Sequence, residues 1–334
     1  MKRNKKYFLQ QYLHVSPDHG GIGFVDIEKI FLSISIIPII IESNILLFRI
    51  MKLIKLVFQI KSNDTLYFIF PVYAKMHVFF LKLLVFKKCN IICIYGDSDG
   101  LRHNNEKMLN NELKLISLFK IVIVHNEIMA SWMKIHFPQK RIYSLCLFDY
   151  LTPMQKNIKR AKSFEIVFAG NLLKSHFINY VENLNTLNPL VKFNLYGKIL
   201  NINKINCIYK GFFSPYDTPQ NLHGSFGLIW DGSSLEKCEG NYGNYLIYST
   251  PHKLSVYILA GLPIILHEDA AMASFVTENN IGFCISSLFE IEEKINALTE
   301  HQYQQMIENL KPIAEKISTG YYLQTAIENT INIH

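Results

Sequence analysis

The sequence predicts an α/β protein made of two doubly wound, parallel-sheet domains. Short apolar strand-like runs alternate with helix-like runs along most of the 334 residues. The alternation comes in two series separated by a polar stretch, and a chain of this length accommodates two domains. Glycine-containing turns follow the strand-like runs of the second series, where ligands of such sheets bind.

The first series has strand-like runs at "YFLQQYLHV" (7–15), "TLYFIF" (65–70), "IICIYG" (91–96), "IVIVH" (121–125) and "RIYSLCLF" (141–148). The start, "MKRNKKYFLQQYLHV", is basic but has neither a long apolar core nor a small-residue cleavage site, so it reads as a first strand and not a signal peptide. "IFLSISIIPIII" (30–41) is too short to cross a membrane and contains Pro38. In "NILLFRIMKLIKLVFQIK" (44–61), Arg49, Lys52 and Lys55 recur every three residues as a basic stripe, and "KMHVFFLKLLVFKK" (75–88) repeats the style. These two segments read first as core helices with a cationic rim. The sharper alternative is a surface docked on anionic lipid.

Residues 153–164 are polar, basic and begin with Pro153, as a linker does. The second series follows: "EIVFAGN" (165–171), "KFNLYG" (192–197), "CIYKG" (207–211), "FGLIWDG" (226–232), "PIILH" (263–267) and "GFCIS" (282–286). From 290 onward the pattern is helical with a break at Gly320. The expected boundaries are a domain over 1–152, the linker 153–164, a domain over 165–317, and a C-terminal helix, 318–334, that packs back on the first domain.

An apolar content of 49% fills two cores, and the net charge of +7 is uneven. Residues 1–150 carry 20 Lys+Arg against 11 Asp+Glu, whereas the remainder carries 14 against 16. A basic half calls for an anionic partner. Nucleic acid is not the expected partner, because the basic half is read as lacking interleaved exposed aromatics and has no recognised reader motif. The six cysteines form no CxxC pair, which argues against zinc and for a reduced compartment.

The strongest candidate site is "YSTPHKLSVYILAGLPIIL" (248–266). Thr250 suits a helix N-cap, Pro251 the first helical position and Gly261 the stop. His252 and Lys253 then stand in the first turn, where positive charge opposes the helix dipole unless an anion such as phosphate sits in front. "FAGNLLKS" (168–175) gives a strand, a Gly170-Asn171 turn and a helix start carrying Lys174. In "FGLIWDGSS" (226–234), Trp230 reads as core or as a platform for a base, followed by Asp231 and Gly232. In "HEDAAMASFV" (267–276), Glu268 or Asp269 reaches a ribose hydroxyl, or Asp269 caps a helix. Together these residues form a candidate nucleotide-diphosphate site.

The first half offers a candidate acceptor site. Gly20, Gly21 and Gly23 of "DHGGIGFVDIEKI" (18–30) do not keep dinucleotide-fingerprint spacing and read as a flexible loop, with Asp26 just beyond. "IYGDSDGLRHNNE" (94–106) places Asp97, Asp99 and Arg102 after a strand, and "VHNE" (124–127) does so for His125 and Asn126. Asp97 or Asp99 is a candidate base for a sugar hydroxyl, set against plain turn chemistry for Asp-Ser-Asp-Gly.

These segments resemble the bacterial β-1,6-galactofuranosyltransferases of O-antigen synthesis and related streptococcal glucosyltransferases that glycosylate adhesins. The resemblance runs from "DIEKI", "GDSDGLR", "VHN", "FDYL" and "AGNL" to the more specific block from "FGLIWDG" through "NYGNYLIYSTPHKLSVYILAGLPII" to "AAMASFV". The chain departs from it at Gly96, Gly100 and Thr250, where the family carries His, an acidic residue and Asn. The resemblance implies a GT-B fold, two Rossmann-like domains facing a cleft. It implies an inverting, metal-independent hexosyltransferase without cofactor that takes galactofuranose from a UDP-sugar donor. Asn171, Trp230, Asp231, His252 and Lys253 fall on its donor side, and Asp97, Asp99 and Arg102 on its acceptor side. The expected acceptor is a glycan or an undecaprenyl-diphosphate-linked saccharide. The expected location is cytoplasmic, peripheral on the inner membrane face, with a homo-oligomer as a further expectation. The alternatives are a UDP-glucose-dependent glucosyltransferase and a non-catalytic, membrane-docked glycan-binding module.

Overall fold

The computed structural model describes residues 4–13, 21–42, 44–154, 159–198 and 207–331. The chain divides into two units, residues 1–145 with 323–334, and residues 146–322.

The first unit is a six-stranded sheet of β1 (Lys6–Leu9), β2 (Ile37–Ile39), β3 (Thr65–Phe70), β4 (Asn90–Tyr95), β5 (Ile121–Val124) and β6 (Arg141–Ser144). The order is β2-β1-β3-β4-β5-β6, and every pairing is parallel. Leu66 to Phe70 and Ile91 to Tyr95 are all buried, the pattern of strands covered on both faces. The sequence reading missed β2. Its Pro38 lacks an N–H, and a proline strand belongs at a sheet edge, which is where β2 lies.

The two basic helices behave differently. The helix Lys75–Phe86 buries His77, Phe80, Leu81 and Leu84. The helix Leu46–Gln59 buries only Leu53. The core-helix expectation therefore fails for the second of these, because its apolar side faces outward.

The second unit repeats the plan with β7 (Glu165–Ala169), β8 (Lys192–Tyr196), β9 (Cys207–Gly211), β10 (Phe226–Ile229), β11 (Ile264–His267) and β12 (Gly282–Ile285). The order is β12-β11-β10-β7-β8-β9, again parallel. From β7 the chain builds outward through β8 to β9, then crosses back to lay β10 on the other side of β7. The gap between β7 and β10 is thus the topological switch point, the usual ligand crevice of a doubly wound sheet. Arg160, inside the stretch read as a linker, is buried in this unit. Its guanidinium donates to the carbonyls of Ala260 (2.6 Å), Gly224 (2.7 Å) and Leu222 (3.0 Å). Burial lowers its pKa to about 10, so it stays charged at neutral pH, and Ala260 is the C-cap where a cation complements the helix dipole.

Candidate functional site

Within the second unit, the crevice between β7 and β10 gathers several of the expected residues. Gly170 follows β7 with φ +152°, and a Cβ there would stand 3.0 Å from Lys253 Cε. A side chain at 170 is disfavoured by the backbone, and it would also crowd the lysine. Asp231 follows β10. Lys253 Nζ donates to Asp231 Oδ1 (3.2 Å) and Oδ2 (3.3 Å) and lies 4.4 Å from the centre of the Phe168 ring. Both charged side chains keep partial access to solvent, 18% and 19%.

The element that carries Lys253 is the helix His252–Leu259, fixed from below by Tyr257. The buried Tyr257 hydroxyl accepts from Ala169 N (2.9 Å) and donates to Leu228 O (3.1 Å), joining the helix to both strands of the switch point. Tyr257 crosses Gly227, where a Cβ would meet its ring at 2.5 Å. The sequence reading did not single out Tyr257. Its only visible signal was a large polar-tipped residue inside an apolar helix.

The helix mouth differs from the expected one by a residue. Pro251 is the N-cap and His252 the first helical residue, and no side chain among the described residues caps the helix. Thr250 Oγ1 donates instead to Cys146 O (3.3 Å), because the preceding segment 146–148 runs beside it. Ser255 Oγ donates to Phe148 O (2.6 Å), and the Phe148 ring stacks on His252 at 4.2 Å. Burial lowers the His252 pKa to about 4, and its Nδ1 is buried without a hydrogen-bond partner among the described residues. His252 is therefore neutral at pH 7, and Lys253 is the cation of the first turn. The main-chain N–H groups of His252 and Lys253 have no acceptor among the described residues. Two open N–H groups beside an ammonium make an anion site.

Other expected residues take different places. Trp230 is fully buried and its Nε1 donates to Ser234 O (2.9 Å), so it is core and offers no free face to a base. Asn171 is exposed; its Oδ1 accepts from Leu173 N (3.1 Å), and its carbonyl from Lys174 N (3.1 Å). That Asx turn closes before any helix begins, so Lys174 lies in a turn ahead of a 3-10 helix, His176–Thr186, and not in a helix start. Its ammonium is 4.9 Å from the Tyr242 ring centre. Gly232, at φ +113°, backs directly on Glu239. Glu268 and Asp269 are exposed after β11. Asp269 caps nothing, because the next helix starts at Ala273 and its main-chain N–H is engaged by His267 Nδ1 (3.1 Å).

In the first unit, Asp97 and Asp99 follow β4, and both pair with Arg102. Tyr73 donates to Asp99 Oδ2 at 2.8 Å. Burial, then the hydrogen bond and charge of Asp99, hold the Tyr73 phenol well above its usual range. A third carboxylate fixes the loop from behind. Glu112 accepts from Ser98 Oγ (2.6 Å) and Gly100 N (2.9 Å), and Ser98 accepts from Leu101 N (3.0 Å). Burial raises the Glu112 pKa. Asp97, Asp99 and Arg102 remain about one-fifth exposed, so a solute reaches them. Tyr73 and Glu112 were not foreseen, because neither belongs to the segment that carries the aspartates.

Asp26, His125 and Asn126 of this unit are buried. Asp26 is fully buried in the helix Ile22–Ser33, 3.7 Å from Lys29 Nζ. His125 is buried, with Nε2 2.9 Å from Gly96 O. Asn126 is buried as the N-cap of the helix Glu127–His136, accepting from Met129 N (2.9 Å). All three side chains are buried, at 0%, 3% and 4% exposure. Gly21 is the N-cap of Ile22–Ser33, and Gly20 lies outside the described residues. The loop after β1 is also occupied. The buried Glu28 carboxylate accepts from Gln11 N (2.5 Å), Tyr12 N (3.0 Å) and Leu13 N (2.9 Å). Those N–H groups are thus unavailable to an external anion, unlike those at His252 and Lys253. Among the described residues no cluster of three or more His, Cys, Asp or Glu side chains is placed to hold a metal ion.

Comparison with known proteins fits this geometry. The family models for the N- and C-terminal domains of the glucosyltransferase 3-like proteins match residues 30–145 and 166–330. The β-1,6-galactofuranosyltransferase WbbI of Escherichia coli K12 is 32% identical over 98% of this chain and 98% of its own. Glucosyltransferase 3 of Streptococcus gordonii is 25% identical over 50% of this chain and 48% of its own. The crystal structure of Anabaena HepE in complex with UDP superposes with a TM-score of 0.64 at 13% identity, covering 98% of this chain and 100% of that one. The two sheets are the pair of Rossmann-like units of a GT-B enzyme. On the match of both domain models and the full-length likeness to WbbI, the chain belongs to the glucosyltransferase 3-like family and is a glycosyltransferase.

Proposed function

We propose that the chain moves a hexose, galactofuranose in a β-1,6 linkage, from a UDP-sugar to a lipid-linked or glycan acceptor in the synthesis of a cell-surface polysaccharide such as O-antigen. The second unit holds the donor and the first the acceptor. One observation carries the donor assignment: an uncapped helix with open N–H groups and Lys253 stands at the switch point. The full-length likeness to a β-1,6-galactofuranosyltransferase supports the sugar and the linkage.

The diphosphate lies against the N–H groups of His252 and Lys253. Lys253 turns its ammonium from Asp231 to the phosphate oxygens, and Gly170 leaves room for that movement. Asn171, Lys174, Glu268 and Asp269 are the exposed groups around the same strand ends that reach the sugar and ribose hydroxyls. The acceptor hydroxyl oxygen attacks the anomeric carbon as the bond from that carbon to the diphosphate oxygen breaks. UDP departs with the bonding electrons, Asp97 takes the hydroxyl proton, and configuration inverts in the single displacement. Arg102 holds both aspartates in place by pairing with each. No metal is required by this arrangement, because the ammonium and the N–H groups neutralise the leaving charge as it develops.

The test is a melting-temperature screen with UDP, UDP-glucose, UDP-galactopyranose, UDP-galactofuranose and GDP-sugars, followed by turnover assays. UDP-galactofuranose is expected to stabilise the chain most among the sugars, since a ligand of the folded state raises the melting point with its affinity. A larger shift and turnover with UDP-glucose moves the assignment to a glucosyltransferase, the activity named for the streptococcal relatives. Lys253→Ala is expected to lower turnover about 100-fold or more with the fold intact, the cost of one preorganised anion donor. Normal turnover in that variant removes Lys253 from the mechanism.

A further inference from the structure

The helix Leu46–Gln59 is amphipathic with its apolar side turned to solvent. Leu46, Ile50, Ile54 and Phe58 form one i, i+4 row, and Leu47 and Met51 lie beside it. Between Ile45 and Phe58, eight apolar residues are 41–80% exposed. Isolated exposed apolar residues need no explanation, but a continuous stripe of this kind marks an interaction surface.

The charge around the stripe selects the partner. Lys52 and Lys55 are exposed along one flank of it. From residue 43 to 96 the chain has eight basic residues and a single acidic one, Asp64. That carboxylate is buried and taken up by the N–H groups of Lys5 (2.8 Å) and Lys61 (2.9 Å). Lys87 donates to the carbonyls of Val57 and Ile60, fixing the end of the helix, and the neighbouring helix Lys75–Phe86 exposes Phe79 and Phe86 along with Lys75 and Lys82. Self-pairing of the stripe on a two-fold axis sets the same cations together, with Glu42 as the one exposed carboxylate near the start of the helix to offset them. An anionic bilayer surface satisfies both components, taking the apolar row into the acyl boundary and the lysines among its headgroups.

We infer that the outward face of the helix Leu46–Gln59 is a docking surface for an anionic lipid bilayer. A 14-residue helix is about 21 Å long and lies in the interface plane; a span needs about 30 Å of apolar core. No helix among the described residues is long and apolar enough to cross a membrane. The surface uses none of the residues of the two candidate clusters.

Co-sedimentation of the full chain with lipid vesicles tests this. Vesicles containing phosphatidylglycerol are expected to bind at least about tenfold more tightly than pure phosphatidylcholine, and salt is expected to weaken the binding. Leu47→Ser with Phe58→Ser is expected to cut binding about tenfold or more, with no fall in melting temperature, because both side chains are exposed. Lys52→Glu with Lys55→Glu is expected to abolish the preference for anionic vesicles. Equal binding to both vesicle types, or binding unaltered by either pair of substitutions, overturns the inference. So does a stable dimer in solution that the Leu47→Ser and Phe58→Ser variant dissolves, since the face then belongs to a second copy.

Discussion

His252 shows how burial removes a charge from an unfavourable place. A protonated imidazole in the first turn of a helix would oppose the dipole. Here the ring stacks on Phe148 with Nδ1 sealed from water, and its pKa is lowered to about 4. The sign of the linkage follows. Below the ordinary histidine pKa of about 6.5 the unfolded chain binds a proton that the folded chain refuses, so stability falls as pH drops from about 6.5 toward 4. The loss attributable to this residue is about 2 kcal/mol by pH 5. Urea unfolding at pH 7.5 and pH 5 for the native chain and His252→Gln measures it. The native chain is expected to lose about 2 kcal/mol more than the variant between the two conditions; equal losses show that the imidazole titrates freely.

The helix His252–Leu259 derives its position from Tyr257, whose hydroxyl links Ala169 of β7 to Leu228 of β10. Tyr257→Phe leaves Ala169 N without a partner inside the core, a loss of about 1–3 kcal/mol in unfolding free energy. It is also expected to weaken UDP binding several-fold, because the N–H groups and Lys253 are aimed by this helix; calorimetric titration with UDP checks that. Unchanged stability and unchanged affinity together would show that packing alone holds the helix. At this scale the sequence was informative about strands. Short apolar runs marked β3, β4, β5, β7, β8, β10, β11 and β12 to within a few residues, because buried parallel strands are nearly continuous apolar runs. It was silent on β2, three residues long with Pro38 at its centre. It also missorted Leu46–Gln59, since periodicity tells which residues share a face and not whether that face points inward. The Asp231–Lys253 pair was invisible for a related reason. It joins the end of a strand to the first turn of a later helix, and only the packing of that helix against β7 and β10 brings the two together. Asp26, His125 and Asn126 read as ligands because their residue types suit binding; their burial and capping bonds appear only once the loops are folded.

Across the whole molecule, charge and open hydrogen-bonding groups are divided between the two units. The first 150 residues carry a net +9 and the rest a net −2, so overall charge by itself favours an anion at the first half, against the proposed donor assignment. The proposed assignment to the second unit rests on local features: its helix mouth has N–H groups unfilled among the described residues, while the corresponding loop of the first unit already gives Gln11, Tyr12 and Leu13 to Glu28. Under the proposed assignments, donor binding and proton removal depend on different units and are expected to separate by mutation. Asp97→Asn keeps the shape of the carboxylate but loses its basicity and its charge pairing with Arg102. It is expected to reduce transfer by about 100-fold or more, the scale of general-base catalysis, while UDP affinity stays within about twofold. Lys253→Ala is expected to lower both. Calorimetric UDP titration beside a transfer assay distinguishes the two patterns. Loss of UDP binding in Asp97→Asn would place that aspartate at the donor and undo its assignment as base. Transfer retained in Asp97→Asn but lost in Asp99→Asn would move the proton to Asp99, which accepts a hydrogen bond from Tyr73.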